Sequence, residues 1–247
     1  TAIYMGGPGA VFWMWVIAFL GSASAFIESS LAQVYKQKEG DIFRGGPAYY
    51  IEKGLGVKWY ALLFAVITIL STGFLLPGVQ SNAINGTITN AFSYSNEVIH
   101  FAGTDWTVSY VGLVVVALLS VIIIGGVKRL GQVSEFVVPF MAGAYILMAI
   151  IIIALNFTQL PAVFSMIFSS AFSMHATFGG IVGTAIAWGV KRGIYSNEAG
   201  QGTGPHAAAA AQVNHPAQQG LVQAFSVYVD TLFVCTATAF MILFTGK

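Results

Sequence analysis

Charge is scarce in this sequence. Only 8% of its 247 residues are Asp, Glu, Lys or Arg, whereas soluble globular domains carry roughly 25%. The formal net charge of +1 offers no basic surface for nucleic acid, so we expect no nucleic-acid partner. Cysteine is almost absent as well: the single Cys235 excludes a disulfide framework within the chain, and its apolar surroundings indicate a small buried hydrophobe.

Apolar residues take the place of the missing charges. They make up 57% of the chain, and the mean hydropathy is +0.79. Six apolar stretches are long enough to span a bilayer, which takes about 20 residues per helix. The sequence therefore predicts an all-α integral membrane protein with helices at about 11–34, 59–91, 106–125, 132–155, 177–191 and 218–245.

The basic residues sort into alternate loops, which predicts the orientation. Lys and Arg stand in loops 35–58 and 126–131 and at the start of loop 192–217, but loops 92–105 and 156–176 contain none. The positive-inside rule makes the first three loops cytoplasmic. Both ends of the chain are then outside, and only Lys247, at one of those ends, departs from the pattern.

The segment 157–174 is apolar but is interrupted by Pro161 and several serines. We interpret it as an amphipathic helix that lies on the outer membrane surface. A re-entrant segment is the alternative interpretation.

Carboxamides stand inside the second predicted helix. Pro77 and Gly78 predict a kink there, and Gln80, Asn82 and Asn85 follow it. Such groups need a partner at membrane depth, and an amino-acid zwitterion would match both ends of a carboxamide. Hydrogen bonds between helices are the other interpretation, and for Gln80 we favour contact with a ligand.

The fifth predicted helix is short and rich in small residues. Its residues Ala176, Gly180, Gly183, Thr184 and Ala187 share one face, which would let another backbone approach closely. Consecutive glycines at Gly179 and Gly180 also permit local unwinding, which many secondary transporters use to bind substrate and ion. Tight packing and ligand binding both remain open for Gly183.

Four further side chains of the predicted spans have two interpretations each. Trp188 is either an anchor at the membrane interface or the wall of a cavity. The carboxylates Glu28, Glu135 and Asp230 are functional candidates because charge is costly inside a membrane. Glu28 and Glu135 stand near predicted cytoplasmic helix ends, where pairing with basic loop residues is the structural alternative. For Asp230, pairing with Lys191, Arg192 or a backbone amide competes with coupling to an ion.

The segment 196–206 is the most polar and glycine-rich part of the chain. We expect a loop or gate held by polar contacts, with Asn197 and Glu198 as gate or scaffold residues. It lacks a phosphate-binding glycine pattern. The pair His206 and His215 has no zinc-ligand frame, and Ser196 has no nucleophile-elbow spacing. We therefore expect no catalytic residue, no resident metal and no enzyme activity.

Several motifs together resemble one family. The segments 7–21, 45–56, 79–82, 189–193 and 196–211 are similar, in order, to signatures of the alanine/glycine:cation symporters, also called sodium:alanine symporters. The first of them reads Gly-Pro-Gly-Ala-Val-Phe-Trp-Met-Trp. The resemblance covers essentially the whole chain.

The resemblance implies a sodium-coupled importer of alanine, glycine or a similar small amino acid in the plasma (inner) membrane of a prokaryote. It implies a five-plus-five inverted-repeat fold, of which this chain would supply roughly core helices two to seven. We expect a fragment of a longer transporter, with 1–247 as a single transmembrane domain and most ligands of the coupling Na⁺ outside the chain. No other cofactor is implied. The expected substrate-binding residues are Gln80, Asn82, Phe178, Gly179, Gly180, Gly183, Thr184 and Trp188.

A channel-like or non-transporting membrane subunit is the alternative function. A channel would need a polar stripe through several helices. Only the second helix and parts of the fifth are polar in this sequence.

Overall fold

The helices form where apolar residues run without interruption. The computed structural model describes residues 1–40, 42–92, 97–101, 104–172 and 179–245. In chain order its regular elements are α1 Ala2–Gly6, α2 Gly9–Val34, β1 Gln37–Glu39, β2 Ile42–Arg44, α3 Pro47–Leu55, α4 Lys58–Leu70, a π-helical turn Ser71–Leu75, α5 Leu76–Phe92, β3 Glu97–Phe101, β4 Thr104–Val108, α6 Tyr110–Ile123, α7 Gly126–Leu155, a 3₁₀ turn Phe157–Gln159, α8 Leu160–Ala171, α9 Gly179–Asn197, α10 Gly204–Ala210, α11 Pro216–Tyr228, a π-helical segment Val229–Cys235 and α12 Thr236–Thr245. The predicted helical fold class is confirmed.

Four helices in the described part of the chain are long and apolar enough to cross a membrane. They are Gly9–Val34, Lys58–Phe92, Lys128–Leu155 and Pro216–Thr245. The other two predicted spans are not among them. α6 has 14 residues, about 21 Å of helix against a hydrocarbon core of about 30 Å. α9 has 19 residues but includes Lys191 and Arg192.

Three predicted boundaries are wrong. Residues 106–108 belong to β4 and not to a helix, so α6 begins only at Tyr110. The whole predicted loop 126–131 is helical, because the turn lies earlier, at Ile124 and Gly125, and Gly126, whose φ is +76°, begins α7. The fifth helix does not end at 191 but continues to Asn197. The predicted loops also contain two antiparallel hairpins, β1–β2 and β3–β4.

The chain divides into two compact units, residues 1–65 with 145–247 and residues 66–144. The single domain predicted over 1–247 stays a prediction. In the second unit, the long helix through α4 and α5 becomes π-helical at Ser71–Leu75. Pro77 follows that turn and has no N–H to complete the regular hydrogen-bond ladder, so the predicted irregularity lies about one turn before the proline.

The first unit is built around α2. α9 runs parallel to it, because Gly189 lies beside Ala10 and Gly193, four residues later, lies beside Ile17. α11 and α12 run antiparallel to α2. Ser22 Oγ is 2.7 Å from Tyr228 Oη, and Trp15 Nε1 donates to Thr236 Oγ1 at 2.8 Å. These relative directions agree with the predicted alternation of the helices.

The apolar core at the start of α2 contains α8. The cluster combines Val11 with Val163, Ile167, Ala239 and Phe240. α8 thus has a buried apolar face, as an amphipathic helix requires. Residues 173 and 174 of the predicted segment 157–174 lie outside the described residues, and the position of α8 relative to a membrane stays a prediction.

Candidate functional site

Glycines on α9 bring its backbone into close contact with α2. A Cβ added to Gly189 would lie 2.6 Å from both the Ala10 carbonyl oxygen and Trp13 Cβ. A Cβ added to Gly193 would lie 2.3 Å from Ile17 Cγ2. The two glycines are four residues apart and therefore share one face of the helix. This face fixes α9 against α2.

The predicted small-residue face lies on the other side of α9. A Cβ added to Gly180 or Gly183 would meet no atom within 4 Å among the described residues. The Thr184 hydroxyl is exposed and donates to the Gly180 carbonyl oxygen one turn earlier. The tight packing considered for Gly183 is therefore not found in the described ranges, where no atom covers Gly180 or Gly183 on this face.

The glycine pair at the start of α9 is helical. Gly179 and Gly180 are the first two residues of the helix. The local unwinding considered for this pair is thus absent from the described part of α9. Phe178, also predicted to contact substrate, lies outside the described residues.

Trp188 lies between the two faces of α9. A Cβ added to Gly6 would lie 2.9 Å from Trp188 Cβ, so α1 covers part of this side chain. Lys191 Nζ lies 5.4 Å from the centre of the indole ring and the Arg192 guanidinium carbon lies 5.7 Å away. Both distances are typical of cation–π contacts. The described neighbours of Trp188 are thus a helix backbone and two cations.

The predicted carboxamides lie in the second unit. Gln80 and Asn82 are exposed on α5 and make no hydrogen bond within the described ranges. Asn85 Oδ1, in contrast, accepts a hydrogen bond of 2.6 Å from Ser109 Oγ, which also accepts from the Gly112 N–H to cap α6. Of the two interpretations of Asn85, contact with a ligand and a hydrogen bond within the protein, the structure shows the hydrogen bond. The carboxamides thus belong to the second unit, and α9 belongs to the first.

The polar run after α9 lies alongside α2. Gly21 of α2 contacts Ala199, and the Gly200 N–H donates to Glu28 Oε2 at 3.3 Å. Both α2 residues lie inside the candidate span Gly9–Val34. The run is therefore not a loop beyond the helix ends. Glu28 also does not pair with basic loop residues: its described partners are backbone groups, because the glycine-rich turn presents its N–H groups to α2.

Backbone strain marks the first turn of this run. Glu198 has φ of +55°, which a residue with a Cβ adopts only at an energetic cost. Its N–H donates to the Ile194 carbonyl oxygen at 2.9 Å, and its carboxylate accepts from Thr203 Oγ1 at 2.5 Å. These bonds hold the turn at the end of α9. The role of Glu198 as a gate or scaffold residue stays a prediction.

Asn197 links the end of α9 to the π-helical segment. Its Nδ2 donates to Thr231 Oγ1 at 3.1 Å, and its Oδ1 accepts from the Ala199 N–H at 3.1 Å. Thr231 is completely buried and in turn donates to Asp230 Oδ2 at 3.3 Å. The neighbouring Ser196 Oγ is 3.2 Å from Cys235 Sγ. Asp230 thus has polar neighbours, and none of those described is Lys191 or Arg192.

Two side chains at the end of α2 hold α10. Gln33 Nε2 donates to the carbonyl oxygens of Ala208 at 2.5 Å and Ala211 at 2.9 Å, and Lys36 Nζ donates to the Ala211 oxygen at 2.8 Å. The carbonyls at the end of a helix lack partners within it, so these donors satisfy them. Burial lowers the pKa of Lys36. Sequence reasoning missed Gln33, for which a carboxamide residue late in an apolar helix was the available signal.

Nearby, α3 places Tyr50 close to Glu28. Burial raises the pKa of the Tyr50 phenol to about 12, and the negative charge of Glu28 adds to the shift.

Sequence reasoning also missed the contact glycines Gly189 and Gly193. Their spacing, small residues four apart on a helix, is a known signal of close helix packing. Glu135 is exposed on α7 and makes no hydrogen bond or ion pair among the described residues.

Comparison with known proteins gives a family match over the whole chain. The sequence model of the sodium:alanine symporter family matches residues 1–247. The chain is 63% identical over 246 residues to a putative sodium/proton-dependent alanine carrier protein of Bacillus subtilis, an alignment that covers 100% of the chain and 48% of that relative.

Two further relatives differ in the amino acid of their names. A sodium/proton-dependent alanine carrier protein of Bacillus sp. strain PS3 is 49% identical over 247 residues, with 100% of the chain and 53% of the relative covered. A probable sodium/glutamine symporter of Bacillus subtilis is 49% identical over 244 residues, with 99% and 48% covered. The chain spans about half the length of these curated relatives.

Proposed function

The chain belongs to the sodium:alanine symporter family, and from that membership we propose that it forms part of a transporter that moves a small amino acid together with Na⁺. It is a multi-pass membrane protein of a transporter family, and the relatives are named carriers and symporters, not enzymes. The observation that carries the proposal is the match over residues 1–247, with 63% identity to a protein named as an alanine carrier.

We propose alanine or glycine as the substrate and alternating access as the mechanism. The small-residue face of α9 supports a small substrate, because Gly180 and Gly183 leave room and expose backbone groups. Thr184 adds a hydroxyl on the same face. The 49% identity to a probable sodium/glutamine symporter makes glutamine the competing substrate.

Gln80 and Asn82 are proposed to bind the substrate zwitterion. Their carboxamides are exposed and have no described hydrogen-bond partner, which leaves both donor and acceptor atoms available. Phe178, Gly179 and Trp188 complete the proposed substrate-binding set. Na⁺ is proposed as the coupling ion, without an organic cofactor, and the lipid bilayer as the environment.

The proposed location is the plasma (inner) membrane of a prokaryote, with both ends of this chain outside. The support is the clustering of Lys and Arg in alternate loops. Parallel α2 and α9 and antiparallel α11 suit such an alternation. Asn197 and Glu198 are proposed to hold the inner gate, because their side chains fix the turn that ends α9.

Uptake by the full-length protein in proteoliposomes tests the proposal. We expect uptake of alanine and glycine that requires an inward Na⁺ gradient and is absent with choline. Gln80→Ala should reduce uptake, while Gln159→Ala, at an exposed amide outside the proposed site, should leave it unchanged. Uptake that is independent of any cation gradient would refute symport, and single-channel currents would favour a channel.

A size series separates alanine from glutamine. Gly183→Val adds bulk to the open face of α9, so we expect glutamine and alanine uptake to fall more than glycine uptake. Gly143→Val is the matched control, because Gly143 is also a helical glycine with no described atom within 4 Å of an added Cβ. Equal loss of all three substrates in Gly183→Val would argue against a cavity at this face.

A further inference from the structure

Asp230 lies where the helix that contains it becomes π-helical. Its segment, Val229–Cys235, joins α11 to α12. Asp230 Oδ2 accepts from Thr231 Oγ1 at 3.3 Å and lies 3.9 Å from Cys235 Sγ. Single π-helical turns inside α-helices occur frequently at functional sites, because they displace side chains and backbone groups from the regular ladder.

The surroundings of this carboxylate are electrostatically unfavourable. Thr231 accepts from Asn197, and Cys235 contacts Ser196, so Asp230 lies beside the last two residues of α9. The C-terminal end of a helix carries partial negative charge from its unpaired carbonyls. A carboxylate at this end is therefore repelled unless a positive charge lies nearby.

The available cations of α9 are directed elsewhere. The Arg192 guanidinium carbon lies 5.7 Å from the centre of the Trp188 ring and 5.5 Å from that of Tyr195, and Lys191 lies over Trp188. The ion pair found within the described ranges joins Arg44 to Glu39 in the β1–β2 hairpin, distant in sequence from Asp230. No described Lys, Arg or His forms an ion pair with Asp230.

The donor atoms suit a small hard cation. The carboxylate of Asp230 and the hydroxyl of Thr231, 3.3 Å apart, are oxygen ligands, and Ser196 supplies a second hydroxyl on the other side of Cys235. Ends of broken helices and unwound backbone carbonyls coordinate Na⁺ in secondary transporters. Within the described residues no group of three His, Cys, Asp or Glu gathers, so the donor set is one of mixed oxygens.

We propose that Asp230 and Thr231, together with Ser196 at the end of α9, form a Na⁺ site inside this chain. The proposal rests on the proposed cation coupling and adds a site to the one expected from residues outside the chain. It lies about halfway along α2, near Gly21, and beside the strained turn at Glu198. Bound Na⁺ would neutralise the repulsion between the carboxylate and the end of α9, and would so stabilise that turn.

Cys235 supplies a direct test, because its sulfur lies beside the proposed ligands. The full-length protein, with any cysteine outside this chain replaced, is treated with N-ethylmaleimide in Na⁺ or in choline at equal ionic strength. At a Na⁺ concentration about ten times the Kd, the empty fraction falls to about a tenth, so labelling should slow about tenfold. This readout requires no amino-acid uptake.

Matched variants assign the effect to the site. Asp230→Asn should abolish protection by Na⁺, and Thr231→Val should raise the Na⁺ concentration needed for half protection. Thr231→Ser keeps the hydroxyl and should restore protection. Glu135→Gln, the same neutralising change at an exposed carboxylate, should behave like the unmodified protein.

Labelling of the unmodified protein at equal rates in Na⁺ and choline would overturn the proposal. Unchanged Na⁺ protection in both Asp230→Asn and Thr231→Val would overturn it too, because the cation would then bind elsewhere. Loss of uptake with intact Na⁺ protection would instead count against the proposed transport function and leave this site supported. The two failures are thus distinguishable.

Discussion

Replacing Gly189 by alanine adds a methyl group where α9 and α2 are in backbone contact. The new Cβ would lie 2.6 Å from the Ala10 carbonyl oxygen and 2.6 Å from Trp13 Cβ. Favourable contacts between carbon atoms lie at about 3.5–4.0 Å. Because the obstructing atoms are backbone and Cβ atoms, no change of rotamer removes the clash, and the helices must separate locally by about 1 Å.

The expected loss of stability follows from two opposing terms. Overpacking of a close contact costs about 1–3 kcal/mol. Alanine, however, is favoured over glycine inside a helix by about 1 kcal/mol. Gly183→Ala on the same helix gains the second term without the first, since an added Cβ there meets no described atom within 4 Å. The difference between the two variants is therefore about 1–3 kcal/mol, with Gly189→Ala the less stable.

Thermal unfolding of the full-length protein in detergent measures this difference. Tryptophan fluorescence suits the purpose, because Trp13 and Trp188 both lie near the contact. We expect Gly189→Ala to unfold a few degrees below Gly183→Ala, and Gly183→Ala to unfold at or above the temperature of the unmodified protein. If both variants unfold at the same temperature, α9 and α2 are not in glycine-mediated contact and the reasoning is refuted.

Two further predictions concern the end of α2. Gln33→Met removes the donors to the Ala208 and Ala211 carbonyls while nearly preserving side-chain length. We expect the free energy of unfolding to fall by about 1–3 kcal/mol, because the two carbonyls lose their partners. Faster hydrogen exchange in α10 measures this loss, and unchanged exchange would contradict the prediction. Burial, and then Glu28, raise the pKa of Tyr50 to about 12, against about 10 for an unfolded tyrosine. The neutral phenol thus stabilises the fold fully below pH about 10, and this contribution is lost as the pH rises through about 12. Glu28→Gln should lower the pKa of Tyr50 only in part, because burial is the larger cause. The pKa is measured from phenolate absorbance, as the difference between each protein and its Tyr50→Phe variant. A Tyr50 pKa that is the same with and without Glu28→Gln would count against the contribution of Glu28.

The long helices could be predicted from the sequence, because apolar runs above about 20 residues have few alternative structures. The end of α9 could not be placed in this way. Lys191 and Arg192 predicted the membrane interface and hence the end of the helix, but their charges are accommodated over the rings of Trp188 and Tyr195, and the helix continues for one and a half turns. Local charge is thus a weak boundary signal where aromatic side chains can stabilise it.

The polar contacts of the candidate site were only partly predictable. The residue types at Glu28, Asn197 and Asp230 marked them as candidates, because charge and carboxamides are costly in an apolar environment. The partners of Glu28 and Asn197 were not predictable, since Gly200 and Thr231 are distant from them in sequence and offer a backbone N–H and a hydroxyl. Asp230 accepts from its own sequence neighbour Thr231, which a pattern of charges does not mark. Pairing with Lys and Arg was the natural expectation for Glu28 and Asp230, and contact with neutral groups takes its place.

During synthesis of the protein, α2 is made well before the helices that pack against it in the first unit. Gln33 and its acceptor Ala208 are 175 residues apart, and at about 5–20 residues per second the ribosome needs roughly 9–35 s to reach the second from the first. During that time the surface of α2 that later receives α9 is open to lipid. It tolerates this delay because Ala10, Met14 and Ile17 line it, and they are as soluble in hydrocarbon as against a neighbouring helix. Gln33 and Lys36, which donate to the carbonyls at the end of α10 in the finished fold, must find temporary partners during this time. The delay in synthesis therefore favours apolar residues on the side of α2 that faces α9.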